Sequence, residues 1–178
     1  MEQAEALTLL AAVHRQAGRF TLAEQTAERA LAIAGEADGT LFESLALLEL
    51  GRITLAQEKG IDALGHLQQA AILFQRVGRP DLQAAAWDAT GQVCLLLGRV
   101  EDAVAFHQQA SAAFRGRGDR CSLALSLAHL AVALTQQELL DEAREHRREA
   151  LRLLEAFPGS IAEARRSEIE AQARASDS

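Results

Sequence analysis

Apolar and small residues recur along the chain at the spacing of a helix face, and the pattern itself recurs every forty residues. Leu7, Leu47, Trp87 and Leu127 are each followed three and four residues later by Leu10/Ala11, Leu50/Gly51, Thr90/Gly91 and Leu130/Ala131. That i, i+3, i+4 stripe marks one face of a helix. A second stripe follows in each unit: TLAEQTAERA at 21–30, IDALGHLQQA at 61–70, EDAVAFHQQA at 101–110 and DEAREHRREA at 141–150 align without a gap. They share Ala23, Ala63, Ala103 and Ala143, then Ala30, Ala70, Ala110 and Ala150. Each unit is therefore two helices, A and B, with a tight turn near Gly18, Glu58, Gly98 or Glu138. The spacing predicts helices over about 3–17, 20–35, 40–57, 60–77, 80–97, 100–115, 120–137, 140–156 and 160–174.

The small residues have a packing reason. Alanines seven apart on a helix lie nearly above one another, so helix B offers a furrow into which the ridge of a neighbour settles. Gly51 and Gly91 do the same for helix A, at a propensity cost of about 1 kcal/mol each relative to alanine. Helix starts recur too: Thr40 with Glu43 and Ser160 with Glu163 match a capping box, Pro80 holds the same phase, and so does Arg120.

Composition agrees with an all-α protein. The 178 residues are 49% hydrophobic and 4% aromatic, with two prolines, no tyrosine and no asparagine, which leaves little for strands or tight polar turns. The net charge of −7 argues against nucleic acid as a partner, because phosphate binding rests on concentrated Lys and Arg. Lys59 is the sole lysine beside seventeen arginines, a hint of a GC-rich, bacterial genome. Cys94 and Cys121 have no CxxC spacing and no charged-then-apolar leader precedes them. Buried or half-buried free thiols in a cytoplasmic protein are the expectation. No apolar run approaches the roughly 20 residues of a membrane helix, so no membrane partner is expected.

The small residue at Ala11/Gly51/Gly91/Ala131, the turn glycine at Gly18/Gly98 and the paired alanines at 23/30, 63/70, 103/110 and 143/150 resemble the tetratricopeptide repeat. The forty-residue unit is longer than the usual ~34 and is similar to the subclass of kinesin light chains, Pins-type adaptors and bacterial regulators. The resemblance implies a right-handed α-α superhelical solenoid: one domain over 1–178 with units at about 4–39, 40–79, 80–119 and 120–157, closed by a capping helix at about 160–174.

Candidate chemistry is sparse. His14, His66, His107, His129 and His146 lack metal-ligand spacing such as HExxH, and His66 and His107 are one residue out of phase, so neither copies the other. They are expected as surface or core histidines, and no metal or cofactor is expected. Gln68, Gln69, Gln108 and Gln109 suit an exposed helix face. Arg144, Arg147, Arg148 and Arg152 alternate with Glu142, Glu145 and Glu149 as on a solvated helix. No GxSxG, P-loop or GxGxxG is present, so no catalytic residue is expected.

What remains is surface. A stack of helix pairs leaves a concave face lined mainly by A helices. Residues flanking the packed stripe there are mostly apolar, which suits an amphipathic helix or extended apolar segment of a protein partner. The expected groove residues are Leu48, Arg52, Asp88, Gln92 and His129. Family members that clamp an acidic peptide carry more Lys, Arg and Asn on this face than Arg15 and Arg52 supply. The Asn that often precedes the Leu-Gly pair is replaced by Leu9, Glu49, Ala89 and His129. The expectation is a non-catalytic protein-interaction scaffold. The alternatives are a sensor or regulatory segment of a bacterial signalling or transcription-control system, and a structural homo-oligomer such as a homodimer.

Overall fold

The computed structural model describes residues 1–36, 39–155, 157, 159, 163, 166, 167 and 169–171. Eight helices run in chain order: α1 (Glu2–Gln16), α2 (Phe20–Glu36), α3 (Thr40–Ala56), α4 (Gly60–Arg76), α5 (Pro80–Leu96), α6 (Val100–Arg117), α7 (Arg120–Gln136) and α8 (Leu140–Glu155). Each end falls within two residues of the position that periodicity predicts. Glu163, Arg166, Ser167 and Ile169–Ala171 are helical, and Ile169 packs with Leu154, Leu123 and Ala150. The rest of the expected closing helix, including Ser160, Ile161 and Ala173, lies outside the described residues.

The turns explain why the register never drifts. Gly18, Glu58, Gly98 and Glu138 all have positive φ, between 60° and 72°. Gly78 and Gly118, between units, take the same conformation. Around each, the next amide reaches back five residues and the turn amide three: Arg19 to His14 and Gly18 to Arg15, Lys59 to Thr54 and Glu58 to Leu55, Arg79 to Phe74 and Gly78 to Gln75. The same pair closes α5, α6 and α7. This doubly bonded end satisfies helix carbonyls that would otherwise be orphaned. At 18, 58, 78, 98, 118 and 138 one motif thus repeats within and between units.

Helix starts are less uniform than the sequence suggests. The capping box at Thr40 does not form, because Thr40 is already helical and Gly39, which has no side chain to cap with, stands before it. Pro80 opens α5 as expected. At α7 the cap is Asp119, whose carboxylate accepts from the Ser122 amide at 3.0 Å.

Consecutive helices pack along the whole array, and α1, α3, α5 and α7 also touch in sequence, whereas the B helices stand farther apart, with α6 and α8 bridged by the Arg115–Glu149 ion pair at 2.8 Å. The A helices gather and the B helices fan apart. The paired alanines at 23, 30, 63, 70, 103, 110, 143 and 150 are all buried, so the furrow is filled. Glycine is needed at the closest approach: a Cβ on Gly51 would stand 2.5 Å from Leu67, and one on Gly91 would stand 2.6 Å from the His107 ring. Residues 27, 67, 107 and 147, in one register on the B helices, are all buried. Arg147 is therefore in the interior, unlike the solvated face expected of it, because it occupies the place of Leu67. Cys94 is buried and free, while Cys121, at the start of α7, is exposed rather than buried or half-buried. Burial pushes the Cys94 thiol pKa up, which keeps it protonated and unreactive.

Candidate functional site

The A helices enclose a cavity of about 500 Å³, lined by Arg15 of α1, Arg52, Leu55 and Ala56 of α3, Ala85, Asp88, Ala89 and Gln92 of α5, and Leu125 and His129 of α7. Four of the five residues expected from sequence, Arg52, Asp88, Gln92 and His129, meet there. Arg52 and Gln92 are forty apart on successive A helices, Asp88 stands one turn before Gln92, and His129 lies forty after Ala89, which also lines the cavity. Leu48 does not line the cavity; it is 4% exposed and packs with Leu47, Leu67 and Val93, where an aliphatic side chain gains more from burial than from water.

Two polar clusters flank this cavity. On the α1–α3 side Glu49 is buried, and its carboxylate accepts from Arg15 Nε at 2.6 Å, with Arg52 Nη1 3.8 Å away. Two arginines thus share one carboxylate, which satisfies a charge that would otherwise be costly to bury. Burial lowers the Arg52 pKa, opposed by Glu49, but a guanidinium stays cationic throughout the working pH range.

On the α5–α7 side Asp88 accepts two hydrogen bonds, from His107 Nδ1 to Oδ1 at 2.9 Å and from His129 Nδ1 to Oδ2 at 2.9 Å. The Gln92 amide nitrogen stands 3.3 Å from His129 Nδ1 and 3.4 Å from Asp88 Oδ2. The two rings lie 5.5 Å apart between centroids. Burial alone would raise the Asp88 pKa, yet the two imidazoles outweigh it and hold the carboxyl well below the usual range. Asp88 is thus an acceptor at neutral pH. His107 is fully buried over Gly91, and Ser126 of α7 donates to its backbone carbonyl at 3.2 Å. Asp88, His107 and His129 each offer one donor atom within 4.8 Å of the others.

His107 is the member that sequence reasoning set aside. It sits on a B helix, and its spacing from Asp88 and His129 resembles no ligand motif, because the three come from three helices. A signal was present: His107 stands where Leu67 stands one unit earlier, opposite a glycine in both units. The other expectations for this family of positions hold at the surface, where Gln68, Gln69, Gln108 and Gln109 are exposed.

Profiles of the tetratricopeptide repeat match residues 42–116 and residues 6–40, together more than half of the chain. The chain belongs to the tetratricopeptide repeat family. Over 112 residues, 63% of its length, this repeat array is 34% identical to the regulatory protein AfsR of Streptomyces griseus, of which it spans 12%. Among solved structures it resembles aspartyl phosphate phosphatase F from Bacillus subtilis, with a TM-score of 0.82 and 16% identity, covering 96% of this chain and 45% of that one. It also resembles nearly identical repeats of a kinesin light chain from Podosopora anserina, with a TM-score of 0.72 and 19% identity, covering 99% and 92%. Those two likenesses show the all-α superhelical fold. Repeat domains of this family serve protein interaction and regulation and are generally non-catalytic. Among the described residues no helix is long and apolar enough to cross a membrane.

Proposed function

We propose that this repeat domain holds a peptide or a helix of a protein partner in the groove of its A helices, without catalysing a reaction. The observation that carries this reading is the convergence of Arg52, Asp88, Gln92 and His129 on one cavity with Leu55 and Leu125 beside them. Apolar side chains supply area, and the fixed polar groups set register and direction. Leu48 supports that surface from behind.

The test is affinity capture with wild type and an Arg52→Glu/Leu125→Ala variant, matched for helical content and molar mass. A protein retained by wild type and lost by the variant supports the groove. Equal retention by both places the interaction elsewhere. If both retain nothing and run as stable dimers, the groove serves assembly of a homodimer instead.

A second reading is favoured by the match to AfsR: the domain is a sensor or regulatory segment of a bacterial signalling or transcription-control system, working through the same groove. Under it, neighbouring coding regions include a signalling or DNA-binding partner, and the captured protein is one of their products.

A further inference from the structure

The Asp88 cluster asks for a reason beyond folding. One unit earlier the same positions hold Leu48 and Leu67, both buried in one apolar cluster, and the same backbone packs. A half-buried carboxylate and a fully buried imidazole in their place carry desolvation costs that leucine avoids. Departures from the local rule of a repeat mark places where something other than the fold is selected.

The donor set has the composition of a transition-metal site. Three helices supply it: a carboxylate from α5, an imidazole from α6 and an imidazole from α7, with one donor atom of each within 4.8 Å of the others. Imidazole and carboxylate together suit a borderline divalent ion such as Zn²⁺, Co²⁺ or Ni²⁺. Mg²⁺ and Ca²⁺ suit it less, because these hard ions prefer all-oxygen shells. Access is open on one side, because Asp88 and His129 line the cavity while His107 closes the floor. With three protein ligands, a tetrahedral ion keeps one position facing the groove.

We infer that Asp88, His107 and His129 form a binding site for a divalent transition-metal ion at the floor of the concave groove, with its remaining position open to water or to a donor group of whatever enters. Glu49 balances one charge of the Arg15–Arg52 pair. A bound dication therefore makes the groove floor net positive and favours a carboxylate from the occupant. Metal binding stands or falls independently of the partner proposed above, since it is measured on the chain alone.

The test uses the untagged full chain, stripped with chelator and titrated with Co²⁺ followed by its d–d absorption, and with Zn²⁺ by calorimetry. The expected result is a single ion per chain with micromolar or tighter affinity. His129→Ala and His107→Leu are expected to weaken it by on the order of 100-fold. His146→Ala leaves it unchanged. His107→Leu repeats the residue found at position 67, and His129 is half-buried, so both variants fold; helical content and melting temperature check this. Two outcomes overturn the proposal. One is binding no tighter than about 100 µM, which makes the cluster a hydrogen-bonded network only. The other is tight binding that survives both substitutions, which places the ion on other residues.

Discussion

At the inner corner of the second unit, Leu48 and Leu67 lie in one apolar cluster and Gly51 leaves room for Leu67. In the third unit the same positions hold Asp88, His107 and Gly91, and the space above the glycine is filled by an imidazole instead of an isobutyl group. Helix bounds agree to within one residue, and the glycine at the closing turn and the alanine furrow are the same in both. In these two units packing of A on B therefore requires a side chain of the right size opposite the glycine, and does not require that it be apolar. Polarity there is free to serve the groove: both Asp88 oxygens find imidazole partners, while among the described residues His107 Nε2 stays buried without one.

The largest expected effect breaks the third unit's cluster at its centre. Asp88→Leu alone leaves two imidazoles without their shared acceptor and is expected to destabilise by about 3 kcal/mol in urea unfolding. Adding His107→Leu converts the unit to the pattern of the second and is expected to bring stability back within about 1 kcal/mol of wild type. If the double variant is no better than the single, the two units are not interchangeable.

Next in size is the glycine. Gly91→Ala presses a methyl group onto a ring held by Asp88 and is expected to cost about 2 kcal/mol, whereas Gly51→Ala presses on Leu67, which no hydrogen bond fixes in place, and is expected to cost about 1 kcal/mol. Melting curves of the two variants give the order directly.

A smaller difference is electrostatic. The third unit begins with Arg79 donating to both carboxylate oxygens of Asp81, at 3.0 and 2.7 Å, which brings the Asp81 pKa down to about 2. The second unit has Leu41 there. A carboxyl depressed in the folded state stabilises above its ordinary value near 3.8 and loses that contribution as pH falls through 2. The pair is partly solvated, so the contribution is below about 1 kcal/mol. The stability gap between wild type and Asp81→Asn is expected to be constant from neutral pH to about pH 5 and to close during acid titration toward pH 2.

The smallest expected effect exchanges the turns. Glu58 occupies the left-handed conformation that Gly98 occupies one unit later, a strain that glycine avoids. Glu58→Gly is expected to stabilise by about 0.5–1 kcal/mol and Gly98→Glu to destabilise by a similar amount, read from denaturation midpoints.

The fold was legible because one period fixed everything that periodicity can fix. Helix bounds, paired alanines and the two close-approach glycines all follow from forty-residue spacing. The turns at Gly78 and Gly118 are as legible as those at Gly18 and Gly98, since the glycines stand in the sequence, although they fall between units. Caps were not legible in the same way: whether Thr40 is the cap or the first helical residue depends on where the preceding turn ends. On the concave face, register brings Arg52, Asp88, Gln92 and His129 together. Leu48 follows the same register but goes inward, because an apolar side chain at the margin of a stripe is drawn into it. His107 reached the cluster from the other helix layer, a three-dimensional relation that spacing along the chain does not encode. Arg147 in the interior and Cys121 at the surface escaped for the same kind of reason, since burial at those positions is decided by the neighbouring helix.

We propose that the molecule meets its partner along the groove of the A helices, and site-specific photocrosslinking in cells separates that face from the outer one. A photoreactive amino acid at Leu125, beside Asp88 and His129 in the groove, is compared with one at Gln69, exposed on the outer face of α4. A partner held in the groove gives a discrete crosslinked protein from position 125 and none from position 69. A partner captured from position 69 and not from 125 would contradict it.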